Sequence, residues 1–449
     1  MAFCNKSNVG MKRNPEMLSH DEILNVLRTE DARSRLSRLY GGDESVVSTQ
    51  TARYERLIAE HRSRFGTESD GIRLLSAPGR VEVGGNHTDH NHGRVLAAAI
   101  NLDAIAVATP ASNGRLTLSS EGYGRPFVID LADVERKDSE KQTSVALIRG
   151  VCRAFQDRGY KVNGFNACVS SDVAVGSGLS SSAAFEVLVA TILNYLCNGG
   201  AIPPRDIALI GQYAENEYFG KPSGLMDQMT SAVGGLVGID FENPTNPAVN
   251  KVDFDFETSG FDVMVVNTGA SHADLNEHYS SVAGEMRAVA MSLGGDVLRQ
   301  FSVQQWMDAL KELREKVGDR AVLRALHFFA DNERVVEQVN ALEQGQFDRF
   351  LSLVNESGRS SWMLCQNVYA AERPAEQGLS VALTVTDRIL KGRGACRVHG
   401  GGFAGTILAF VPHELTAEYT GKMDELFGER AARSLRIRSS GAGEFFTGP

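Results

Sequence analysis

The chain has no apolar run long enough to cross a bilayer: its most apolar stretches, such as Val95 to Ile100, are far too short. No secretory leader stands out, because Asn5, Lys6, Asn8 and Lys12 lead into no apolar segment. A cytoplasmic location without a membrane partner is the resulting expectation. A sustained basic tract is also missing. With a net charge of -10 this argues against a nucleic-acid partner, yet it leaves room for an anionic nucleotide held by local positive potential. The six cysteines, Cys4, Cys152, Cys168, Cys197, Cys365 and Cys396, lack the spacing of a disulfide framework or zinc site and read as core thiols. No Gly-Lys-Ser/Thr of a Walker A loop follows a glycine run. No G-x-S-x-G elbow occurs, so His399-Gly400-Gly401-Gly402 has no nucleophile to serve as the oxyanion loop of a serine hydrolase. Tandem repeats and a low-complexity tail are absent as well.

What is present begins with size: 449 residues can bury a large core and favour two or three domains. Ser19 and Glu22 predict a capping box opening an amphipathic helix that runs toward Leu39 and ends near Gly41-Gly42. A second helix is predicted through Tyr54 to Phe65, closed by Gly66. Both belong to leading elements, with residues 1–50 an N-terminal helical extension. From there to residue 245 strands and helices mix. Strands are predicted at Arg73 to Ser76, Asp103 to Ala108 and Gly164 to Ser170, and helices at Val145 to Phe155 and Arg205 to Tyr218. The Asn243-Pro244-Thr245-Asn246-Pro247 turn cluster is the expected boundary between a domain at 51–245 and one at 246–449. Phe261 to Val266 opens the latter, with a long helical region around 303 to 350.

Polar chemistry gathers in three segments. Ser76 to Asn91 packs turn-formers, Arg80, Asn86, His87, His90 and Asp89 together, a density suited to a small-molecule pocket. Gly176-Ser177-Gly178-Leu179-Ser180-Ser181-Ser182 runs into Ala183, Ala184, Val187, Leu188, Thr191 and Ile192, spaced as one face of a helix. A glycine- and serine-rich loop entering a helix N-terminus cradles phosphate with backbone amides; a plain serine cap is the bland alternative. His399 to Gly405 is the third. His87, His90, His92 and Asp89 could in principle bind a transition metal, but they form no closed ligand set.

Together, in this order, the three segments resemble the galactokinase branch of the GHMP small-molecule kinases over roughly residues 54 to 449. Ser223-Gly224-Leu225-Met226-Asp227-Gln228 adds a fourth landmark, similar to the stretch with the family's active-site aspartate. The resemblance implies an α+β, two-domain GHMP kinase fold with mixed sheets and packed helices, and an active site between the domains. It implies ATP-dependent phosphorylation of the C1 hydroxyl of galactose, with Mg2+ as cofactor. Asp227 and Arg80 would be catalytic, Asp227 either accepting the hydroxyl proton or orienting it. Asn86, His87, Asp89, Gly224 and Tyr279 would contact the sugar. Gly176, Ser177, Gly178, Leu179, Ser180, Ser181 and Ser182 would hold the ATP phosphates, and Ser181 and Glu215 would contact magnesium, though a solvated helical glutamate reads nearly as well for Glu215.

Four positions depart from the family's usual pattern: Asn86 stands for a glutamate that reaches the sugar's C6 hydroxyl, Glu82 for an asparagine, Ala174 for a proline and Ala404 for a glycine. An amide at 86 would tolerate a C6 carboxylate, so galacturonate is an alternative substrate; L-arabinose, as a related sugar, is another. The stretch Ser271 to Tyr279 resembles the family's C-terminal sugar loop, yet Val282, Ala283 and Gly284 follow where arginines are usual. A non-catalytic sugar and ATP sensor is the competing class, against which stand the retained Arg80, Asp227 and glycine loop. A monomer is expected, with a dimer as the alternative.

Overall fold

The computed structural model describes residues 18–66, 71–174, 176, 178–221, 223–269 and 275–445. Three helices lead: α1 (His20–Leu27), α2 (Glu30–Tyr40) and α3 (Glu44–Phe65). The Ser19/Glu22 capping box forms as predicted. The single helix predicted beyond it is instead two, because the Thr29 hydroxyl takes the Ala32 amide and Glu30 and Asp31 follow in the first turn of α2. Helix α3 passes through residue 50 unbroken and is closed by Gly66.

The first sheet contains β1 (Arg73–Gly84), β2 (Arg94–Ala111), β3 (Arg115–Ser120) and β4 (Phe127–Asp130). After α4 (Ser144–Asp157) come β5 (Gly164–Ser171), α5 (Ser181–Asn198), α6 (Pro204–Tyr213) and α7 (Met226–Val233), then β6 (Leu236–Asp240) and β7 (Ala248–Lys251). The turn predicted as a boundary joins β6 to β7, and both strands still belong to the first sheet. The second sheet starts at β8 (Phe261–Asn267). Helices α8 (Asn276–Ser292), α9 (Val303–Asp308), α10 (Leu310–Val317), α11 (Asp319–Glu343), α12 (Phe347–Ser360) and α13 (Gly378–Leu390) precede β9 (Ala395–Val398) and β10 (Thr406–Pro412). Helix α14 (Thr416–Phe427), β11 (Ala432–Leu435) and β12 (Gly443–Glu444) close the described chain.

The first sheet has the order β12-β1-β2-β5-β3-β4, with β6 also on β2; the second is an antiparallel β11-β8-β10-β9. Leu75, Ala77 and Ala106 face α4 to α7. Alternate residues Leu74, Ile105 and Val107 face the leading helices, as the period of two in a strand requires. Farther along β1, Val81 and Val83 pack with α11, α12 and the second sheet through Val335, Phe350 and Leu408. Strand β1 thus runs from one half of the molecule into the interior of the other.

Strand β1 is also longer than the predicted four residues, because Pro78 and Gly79 are absorbed by a register shift between Pro78 and Arg80 rather than ending the strand. Among the described residues no helix is long and apolar enough to cross a membrane, and the cysteines there are free thiols.

Fully buried Asp103 on β2 ties the leading helices and the end of the chain to this sheet. It accepts from Tyr40 Oη (2.6 Å), Arg53 Nη1 (2.8 Å), Arg438 Nη1 (3.0 Å) and the Ser76 hydroxyl. Burial opposes its ionisation, but Arg53 and Arg438 outweigh burial and hold the carboxyl below its ordinary range. Asp103→Ala leaves two buried guanidinium groups without this counter-charge. We expect a loss of about 3 to 5 kcal/mol of unfolding free energy, measured by urea titration.

Candidate active site

The register shift in β1 brings Arg80 onto the glycine loop. Its backbone amide donates to Leu179 O (3.2 Å), Nη1 to Gly178 O (2.6 Å), and Nε to Asp227 Oδ1 (2.7 Å). Asp227 lies in the first turn of α7, and its second oxygen takes the Ser180 hydroxyl. Burial would raise this carboxyl; the Arg80 guanidinium, the Ser180 hydroxyl and Lys221 outweigh it and hold Asp227 ionised below the usual carboxylate range. Its side chain is nevertheless 27% exposed, so a ligand can reach it.

The loop ahead of α5 is built for close approach. Gly178 has φ +71°, and a Cβ there would collide with the Thr406 hydroxyl. Ser180, the residue before α5, holds φ 62° and makes no side-chain cap, since its hydroxyl is turned to Asp227. The first amides of an α-helix have no intrahelical partner, so those of α5 stay available to an anion. Gly176, Leu179, Ser180, Ser181 and Ser182 line this entry; Ser177 falls outside the described residues.

Behind the loop lies a carboxylate cluster. Helix α6 continues as a π-helical segment, Ala214–Phe219, rather than as the α-helix predicted to Tyr218; such segments re-aim side chains. Here it turns Glu215 inward, 2% exposed. The loop hydroxyl that meets Glu215 Oε1 is that of Ser182 (3.1 Å); Ser181, expected beside magnesium, is the first residue of α5. Lys221 Nζ (3.0 Å), Ser223 Oγ (2.7 Å) and Gln228 Nε2 (2.9 Å) also donate to this carboxylate. Gln228 Nε2 further donates to Glu186 Oε2 (3.0 Å), a carboxyl that burial, with Glu215 nearby, pushes well up. Desolvation works against the Lys221 ammonium, but Glu215 and Asp227 hold it protonated.

Hard oxygens from one carboxylate and one hydroxyl fit a magnesium ion that takes its remaining ligands from phosphate and water. Among the described residues no cluster of three or more His, Cys, Asp or Glu could hold a metal, so the histidines of the first segment do not close on Asp89.

On the other side of Asp227, the Asp89 carboxylate lies over Gly224, where any Cβ would collide with Asp89 Oδ2. His87 Nε2 donates to Gly401 O (2.9 Å); burial and neighbouring His90 push its imidazole down to about 3, so it is neutral and Nδ1 is an acceptor. Tyr279 packs its ring against Gly401 and donates from Oη to Gly402 O (3.0 Å). Ser271 to Asp274 lie outside the described residues, and Val282 is part of the core beneath α8.

Asn86, expected at the sugar, faces inward and is fully buried. Nδ2 donates to Glu82 Oε1 (2.9 Å) and Gly400 O (2.7 Å), while Oδ1 accepts from Ser361 Oγ (3.1 Å) and Asn367 Nδ2 (2.8 Å). Its backbone is gripped by α11: the amide donates to Asp331 Oδ2 (2.8 Å) and the carbonyl accepts from His327 Nε2 (2.8 Å). Glu82 meets Arg397 Nη2 at 2.6 Å. Burial pushes the Glu82 carboxyl up to about 7, against the pull of Arg397 and Arg80. The Glu82 amide donates to His399 Nε2 (3.0 Å), leaving Nδ1 to donate to the Thr406 hydroxyl (3.1 Å). Of these, Asp331, His327, Arg397 and Asn367 carried no sequence signal. Glu186, a lone carboxylate in the apolar run of α5, did.

Comparison with known proteins bears on family and fold. Residues 146–235 match the GHMP kinases N terminal domain and residues 59–110 the galactokinase galactose-binding signature. The chain is 32% identical over 353 residues to a galactokinase of Mannheimia succiniciproducens, covering 76% of this chain and 86% of that protein. It is 30% identical over 369 residues to a galactokinase of Glaesserella parasuis, with 79% and 88% covered. The structure of Lactococcus lactis galactokinase complexed with galactose superposes with a TM-score of 0.74 at 24% identity, over 89% of this chain and 100% of that one. Methanococcus jannaschii mevalonate kinase gives a TM-score of 0.56 at 14% identity, over 81% and 98%. These structural likenesses are of fold: α+β, with mixed sheets and packed helices in a two-domain arrangement.

The buried position of Asn86 makes it a wall residue. Asn86→Ala removes four side-chain hydrogen bonds and is expected to cost about 3 kcal/mol of stability, read from the urea midpoint. A side chain that only contacts ligand would leave that midpoint unchanged.

Proposed function

The chain belongs to the GHMP kinase family, with galactokinases among its homologues, and from that premise we propose that it transfers the γ-phosphoryl group of ATP to the C1 hydroxyl of galactose, giving galactose 1-phosphate and ADP. The observation that carries this reading is the Asp227 carboxylate, held by Arg80 and Ser180 where the glycine loop meets the Asp89 and Gly224 surface. Phosphate lies on one side of it in this reading, and sugar on the other.

The first amides of α5, with Gly176 and Gly178, hold the ATP phosphates. Ser182 and Glu215 hold the magnesium ion, which neutralises phosphate charge when bound. Asp89 accepts from adjacent sugar hydroxyls, His87 accepts through Nδ1, and Tyr279 walls the pocket. Asp227 orients the C1 hydroxyl. Its depressed pKa makes it a weak base, which suits late proton transfer in a loose phosphoryl transition state where positioning dominates. Arg80 stabilises charge on the transferring group. Asn86, with its hydrogen-bonding atoms engaged inside the wall, offers nothing to a C6 carboxylate, and this favours galactose over galacturonate.

The test is ADP release with Mg-ATP across galactose, galacturonate, L-arabinose, N-acetylgalactosamine and glucose. Galactose-dependent turnover is expected. A preference for galacturonate would reassign the substrate, and ATP binding with silence on every sugar would make the protein a sensor. Asp227→Asn should lower kcat by about 1000-fold. Gly224→Ala, which displaces Asp89, should raise the KM for sugar about tenfold or more while leaving the KM for ATP unchanged.

A further inference from the structure

The Glu215 carboxylate is already saturated. Its four donors divide into two kinds: Ser182, Ser223 and Gln228 are neutral, whereas Lys221 brings a full charge. The three neutral donors suffice to fix the carboxylate. Lys221 differs in exposure as well, since its side chain is 55% exposed while Glu215 is 2% exposed, so the ammonium reaches Glu215 from the solvent side. Its Cα is anchored separately, because the Lys221 amide donates to Glu215 O (3.1 Å) and closes the π-helical segment. The backbone is held and the side chain can swing.

The oxygen that Lys221 occupies, Oε1, is also the one that meets the Ser182 hydroxyl. That is the pair of hard oxygens suited to magnesium. A divalent ion and an ammonium cannot share this oxygen comfortably, since their charges repel at such range. A lysine displaced from it has Asp227, itself bonded to Ser180 of the glycine loop, as its next anionic neighbour, and the phosphates of a nucleotide held on that loop would add to it. A compact ammonium on a flexible stem can pass from one anion to another, which the rigid fork of an arginine does poorly.

We infer that Lys221 is a further catalytic residue of the phosphoryl transfer. Its ammonium holds the metal-facing oxygen of Glu215 while nucleotide is absent, and moves onto the oxygens of the transferring phosphoryl group when Mg-ATP enters. It stays protonated throughout, forms no covalent bond and gives up no proton; it supplies charge where charge develops. The inference rests on the kinase reading above.

The experiment uses full-length Lys221→Met and Lys221→Arg, with Mn2+ standing in for Mg2+. Mn2+ binding without nucleotide is followed by electron paramagnetic resonance, and kcat by ADP release. Lys221→Met should bind Mn2+ about tenfold more tightly, because no ammonium competes for Glu215. Its kcat should fall about 100-fold with the KM for sugar unchanged. Lys221→Arg should return Mn2+ affinity to the wild-type value and recover only part of kcat. Unchanged or weaker Mn2+ binding in the Met variant would overturn the occupancy of Glu215, and an unchanged kcat would overturn the catalytic role. A wild-type protein that binds Mn2+ and turns over no sugar would defeat the kinase reading instead, while the Mn2+ comparison still reports on Lys221. An unaltered melting curve for each variant establishes that the fold is intact.

Discussion

A fully buried guanidinium, Arg397, set against the nearly as buried carboxylate of Glu82, is the constraint around which the two halves of the molecule are organised. Glu82 lies on β1 in the first sheet and Arg397 on β9 in the second. Around them His399 takes the Glu82 amide, Asp331 and His327 take the Asn86 backbone, and Asn367 and Gly400 take its side chain. Desolvating such charges is costly, and an apolar pair of equal volume would serve stability as well. What polar pairing supplies is register: a one-residue slip of β1 would put Glu82 on the wrong face and leave Arg397 uncompensated. The polypeptide from Arg80 to Asp89 is thereby brought against the glycine loop and Gly224 in one alignment.

Polar satisfaction is traded between neighbours in the cleft itself. The Ser180 hydroxyl orients Asp227 instead of capping α5, and a serine is kept at a left-handed φ of 62° to do so. The helix gives up a cap commonly worth about 1 kcal/mol and keeps its leading amides open. On the far side, Gln228 joins Glu186 to Glu215 through one amide nitrogen. Gln228 directly follows Asp227 in α7, so the helix turn that carries the Asp227 carboxylate also carries the amide that fixes Glu215.

Much of this was legible in the sequence, for identifiable reasons. The Ser19/Glu22 box, the Gly66 stop and the amphipathic opening of α5 rest on contacts within a few residues, and local patterns report those. Arg80 and Asp89 stood out as charges among turn-formers, and Asp227 through the resemblance of its segment to the family's active-site stretch. Less legible was whatever depends on distant partners. Glu82 and Arg397 are separated by 315 positions; Glu82 reads only as a departure from the family pattern, and nothing near it in the sequence points to Arg397. Pro78 and Gly79 signal the end of a strand, yet pairing with β2 and a register shift carry β1 through them. The Asn243 to Pro247 turn has the composition of a linker but closes a hairpin of the first sheet. Ser181 and Ser182 cannot be told apart by composition; the π-helical turn that aims Glu215 is what pairs it with the Ser182 hydroxyl.

The last described strand adds a temporal dimension. Gly443 pairs with Ser76, and Arg438 supplies part of the counter-charge for Asp103. The sheet that presents Arg80 therefore lacks its outer strand until residue 444 has left the ribosome. Contacts of such sequence separation form late and slow folding. A nascent chain arrested after the glycine loop would carry Arg80 and that loop with an open edge on β1, and would need shielding from other chains until residues 438–444 arrived.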